Sequence, residues 1–68
     1  MSKLTDIRRT SDEFHTIAKQ IERSIVAALV QNGYGNATAE YEDTISILAF
    51  DALEDLLDRI HEVEARNA

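Results

Sequence analysis

Sixty-eight residues with no cysteine, no proline and two glycines allow one small domain and exclude a disulfide-built scaffold. The formal net charge of −6 is unevenly spread: residues 1–23 carry five cations against four anions, and residues 24–68 carry two cations against nine anions. That balance disfavours nucleic acid as a direct ligand, because affinity there comes largely from neutralising phosphates, and it suits a protein partner with a basic surface.

The segment "KLTDIRRTSDE" lacks the apolar core of a secretory signal, and no apolar run approaches the ~20 residues of a membrane span. The expectation is a cytoplasmic protein that does not enter membranes.

In the first half Ile7, Phe14, Ile21 and Ala28 recur every seven residues, with Ile17, Ala18 and Ile25 beside them. At ~100° per residue they share one helical face. Ile7 stays in phase with Phe14, which predicts a continuous helix over about 4–32. Thr10 and Glu13 form a T-x-x-E capping pattern that marks a competing start near Thr10.

The stretch "VQNGYGNATAEYED" follows. The residues around Asn32-Gly33 have helical rather than alternating period, so a β-hairpin fails. A phosphate-binding loop needs a preceding strand and a third glycine where Thr38 stands. The remaining reading is an elbow over about 33–37. Gly33 ends the first helix in the left-handed conformation, Tyr34 packs back towards Leu29, and Thr38 caps the next helix.

Glu40, Glu42 and Asp43 then sit in the first turns, where the helix dipole favours anions. Tyr41, Ile45, Leu48, Ala49, Ala52, Leu53, Leu56, Ile60 and Val63 predict a helix over about 38–66. The fold expected is all-α: a single domain over 1–68 built as a helical hairpin of two long antiparallel helices. Folding about residue 35 pairs Ile7 with Val63, Phe14 with Leu56, Ile17 with Leu53, Ile21 with Ala49, Ile25 with Ile45 and Leu29 with Tyr41.

Apolar residues remain outside that seam. Val26 and Val30 on the first helix, and Ile47, Phe50 and Leu57 on the second, form the expected oligomer interface. Two hairpins closing over it make a homodimeric four-helix bundle.

Asp51, Glu54, Asp55, Asp58 and Glu62 line the outer side of the second helix and form the candidate partner face. Asp58 and His61 have the i, i+3 spacing of a carboxylate–histidine metal pair, but they point away from the seam where bundle metal sites form. Glu40-x-x-Asp43 and Asp51-x-x-Glu54 loosely resemble the paired acids of all-α nucleotide pyrophosphatases, with the same outward direction. His15 lies at the edge of the first helix's apolar face, either as a partly exposed flank residue near Lys19 or as a pH-responsive group. Arg8, Arg9 and Lys3 are expected to balance Asp58, Glu62 and Glu64 at one end of the hairpin. No nucleophile stands in a diagnostic arrangement with a base, so no catalytic residue, metal or cofactor is assigned.

The length and two-helix plan resemble the dimeric RNA-binding hairpins that regulate plasmid copy number, without their basic face. They are also similar to the short hairpin co-chaperones of type III secretion needles. Neither similarity carries a diagnostic motif, and no family is assigned. The expected function is a non-enzymatic protein–protein interaction module. The alternative is a small acidic inhibitor that covers a basic nucleic-acid-binding surface on its target.

Overall fold

A computed structural model describes residues 3–67; Met1, Ser2 and Ala68, included in the expected domain, lie outside the described residues. The fold is all-α. A 3-10 turn over Leu4–Asp6 is followed by α1 (Asp12–Gln31), α2 (Gly35–Glu40) and α3 (Glu42–Asn67), with no strand among the described residues.

The first helix does not run from Leu4. The chain leaves the 3-10 turn at Ile7 in an extended conformation (φ −72°, ψ 120°) and re-enters a helix at Asp12. Ser11 decides the new start. Its hydroxyl donates to the Arg8 carbonyl at 2.6 Å and accepts from the Phe14 N–H at 3.1 Å. A serine hydroxyl that satisfies backbone groups on both sides competes with a continuing helix and caps a fresh one. The cap is therefore one residue beyond Thr10, and Asp12 and Glu13 fill the first turn, where anions are favoured.

The other end of α1 matches the sequence reading closely. Gly33 takes φ +90°. The Tyr34 N–H donates to the Leu29 carbonyl at 3.0 Å and the Gly33 N–H to the Val30 carbonyl at 3.1 Å, the paired bonds of a Schellman termination. The elbow, however, is shorter than expected, because residues 35–40 form α2. Thr38 is not a cap. It is buried inside α2, and its hydroxyl donates to the Tyr34 carbonyl at 2.7 Å. The chain bends again at Tyr41 (φ −108°, ψ 24°) before α3 begins.

The core is small: Phe14, Ala18, Leu53 and Leu57 form one cluster, flanked by Ile7, Ile17, Ile21 and Phe50. The start of α1 meets the middle of α3. Phe14 sets its ring edgewise to Phe50 at 6.0 Å, and Arg9 pairs with Glu54 at 3.0 Å. The end of α1 instead shares a cleft with the start of α3, through Leu29 and Ile45.

Two substitutions separate the glycines. Gly33→Ala meets no neighbouring atom but must hold a positive φ, so it is expected to cost about 1 kcal/mol. Gly35→Ala, at the first position of α2 in open space, is expected to be neutral or to stabilise by up to about 1 kcal/mol. Urea denaturation followed by circular dichroism measures both.

Candidate interaction surface

The faces of α3 are distributed differently from the expected seam. Leu57 is 6% exposed and Phe50 is half-buried against the core. Leu56, Val63 and Tyr41, expected inside, are 51%, 53% and 56% exposed. The reason lies at the other end of the chain. The break between Ile7 and Asp12 lets the N-terminal segment turn across α3, where Ile7, Arg9 and Phe14 line one cleft with Glu54 and Leu57. The chain thus covers with its own N-terminus the flank that the sequence assigned to a partner. Leu57 and Phe50 consequently leave the expected interface set. Val26 is half-buried, and only Val30 and Ile47 of that set are exposed. Val26 and Val30 line a cleft with Gly35 and Ala39 of α2.

A different surface is left bare. At ~100° per residue, Leu48, Ala52, Ile45, Val63 and Leu56 fall within about 80° of one another on α3. Of these only Ile45 is half-buried; Leu48 is 58% exposed. On α1 the flank next to the buried Phe14–Ala18 line carries Ile17, Ile21 and Ala28, all half-buried or exposed. Early residues of α1 meet late residues of α3, so the two helices progress around their axes in opposite senses. The Ile21 flank and the Leu48 flank therefore open on the same side of the pair. The N-terminal segment and α2 occupy the other side.

The acids expected at a partner face occupy a third sector of α3. Asp51, Asp55 and Glu62 are exposed on the side away from the core, Asp58 is exposed where it lines the cleft beneath the N-terminal segment, and Glu54 is partly covered and held by Arg9. Asp55 accepts from the Arg59 Nε at 2.9 Å. That hydrogen bond, and then the Asp55 charge with a smaller contribution from Glu62, raises the Arg59 pKa above its ordinary value. The pair is fully exposed, so it organises the ridge more than it stabilises the fold.

The remaining candidates are placed as follows. Arg8, Arg9, Asp58 and His61 line the cleft of about 250 Å³ beneath the N-terminal segment. Among the described residues, no three histidine or acidic side chains converge as a metal site. The His15 imidazole bonds through Nδ1 to the Ser11 carbonyl at 3.0 Å; a carbonyl only accepts, so Nδ1 carries the proton. Its ring centroid lies 5.3 Å from that of Phe50, with the two rings edge to face. No helix of the described residues is long and apolar enough to cross a membrane.

Comparison of the chain with protein-family models, with curated proteins and with solved structures yields no match.

Leu57→Ala is expected to cost about 2–4 kcal/mol, the range for emptying a buried leucine site. Arg9→Ala and Glu54→Ala in a double-mutant cycle are expected to couple by under about 1 kcal/mol, with the coupling falling in high salt. Chemical denaturation of the four proteins measures both.

Proposed function

We propose that the chain is a non-enzymatic interaction module: a helical hairpin of antiparallel α1 and α3 that self-associates as a four-helix bundle and binds a protein with a basic surface. The observation that carries this reading is the presence of two separate uncovered stripes on α3, one apolar and one acidic. An apolar stripe wider than one neighbouring helix can hide is favourably removed from water by association. The acidic ridge beside it stays hydrated, steers a basic partner and discourages an acidic one. The proposal places the module in the cytoplasm, in keeping with a cysteine-free chain, and includes no cofactor or catalytic role.

A second reading is favoured by the concentration of nine acids against two cations in residues 24–68. In it the ridge covers a nucleic-acid-binding surface of the target, and the protein acts as an inhibitor.

The immobilised chain is expected to retain a basic protein from its host at low salt and to release it as salt rises. Replacing Asp51, Asp55 and Asp58 by Asn and Glu62 by Gln should abolish retention while leaving the helical circular dichroism unchanged. Retention insensitive to both salt and substitution would overturn the reading. Competition by DNA or RNA for the retained protein would select the inhibitor form.

A further inference from the structure

We infer that the occupant of the bare apolar side is a second copy of this chain, seated so that α3 of one copy lies on α1 of the other. The inference rests on the self-association proposed above and adds the face and the arrangement.

Three observations argue for a second copy. The first is internal need. Among the described residues, only Phe14, Ala18, Ala49, Leu53 and Leu57 are buried apolar residues, while nine large apolar or aromatic side chains are exposed. A domain of this size is marginal by itself and without a disulfide needs another source of burial. That need is present whenever the chain is folded, and another copy is the one partner always present with it.

The second observation is size. The folded chain measures 46 Å by 23 Å by 20 Å. One side of that footprint is on the order of 1,000 Å², enough for the ~800 Å² per partner of a stable interface. The third is composition. Along the Ile21 flank of α1 and the Leu48 flank of α3 the charged groups are Arg59, between Leu48 and Ala52 by helical angle, and Asp55 and Glu13 at the edges; Arg59 and Asp55 already pair with each other. The face offers a partner apolar matter rather than charge, so a like face complements it.

Charge at the edges then selects the arrangement. A two-fold axis across the helices would lay α3 on the partner's α3 and bring the Asp51, Asp55 and Glu62 rims of the two copies together. A two-fold axis along the helices lays α3 on the partner's α1. The facing edge there carries the uncharged Ser24, Gln20 and Gln31 and a single acid, Glu13, in place of a second acidic rim. Like charges across an interface are unfavourable, so the second arrangement is adopted. It sets Leu48 opposite Ile21 of the second copy and leaves the acidic ridges on the outside, free for the basic partner.

The absence of native cysteine makes the test clean. Ile21→Cys and Leu48→Cys are prepared as separate chains, mixed and oxidised. The expected main product is the mixed disulfide dimer, with little cross-linking of Leu48→Cys to itself. Ala52→Arg is expected to remain helical and to weaken the dimer about tenfold or more in sedimentation equilibrium, because its charge is solvated in a single copy but buried in the pair. Predominant self-cross-linking of Leu48→Cys would overturn the arrangement. Unchanged dimer affinity in Ala52→Arg would overturn the face. A wild-type chain of single-copy mass at micromolar concentration would overturn the second copy altogether, and salt-sensitive capture of a basic protein would still stand as the separate test of the acidic ridge.

Discussion

The helix start at Ser11 and the burial of Phe14 are one constraint, and the rest of the structure depends on it. The Ser11 hydroxyl holds the Phe14 N–H while bonding back to Arg8, so the chain turns sharply one residue before α1. That turn frees the preceding segment to cross α3 with Ile7 against the core. Phe14 then fills the space between the two helices and the returning segment at 2% exposure. With a continuous helix from Leu4, Ile7 would extend along α1 and the Leu57 flank would have no cover from its own chain. A cap ordinarily contributes about 1 kcal/mol to a helix; here it also determines which side of α3 is wet.

The consequence is a redistribution of surfaces on a single helix. α3 carries an apolar arc of about 200°, twice the ~100° stripe that one neighbour covers. Some of it must face water in the isolated chain, and the N-terminal segment decides which part. Leu53 and Leu57 go inside, while Leu48, Leu56 and Val63 stay out. The acids take the remaining sector. Charges are costly to desolvate unless paired, so Asp51 and Glu62 sit where neither the core nor the apolar flank reaches them. One short turn therefore connects the fold to the two surfaces on which the functional reading rests.

The ends of α1 show how much was legible from local chemistry. Gly33 is readable because the left-handed conformation is open to glycine at little cost, and the residues around it leave no competing structure. Its φ and the two closing hydrogen bonds follow the expectation. The start of α1 was less legible because Thr10 and Ser11 are both good caps one residue apart. The heptad phase from Ile7 to Phe14 also favours a helix that the backbone does not form. Phase survives a break when the returning segment places Ile7 against the same core by another route. In the same way Thr38 looks like a cap in sequence, yet its hydroxyl bonds back to Tyr34 within α2.

Sequence alone therefore determined the all-α class, the absence of a membrane-length apolar helix, the termination at Gly33, the excess of apolar arc on α3 and the concentration of acid along it. These follow from periodicity and composition, which act within a few turns of chain. Only the tertiary structure decided that Phe50 and Leu57 are covered and that Leu48, Ala52 and Leu56 are bare. That choice depends on where residues 4–9 lie relative to residues 50–57, a contact across most of the chain. Helical period fixes which side chains share a face, but not which of two adjoining faces a distant segment will cover.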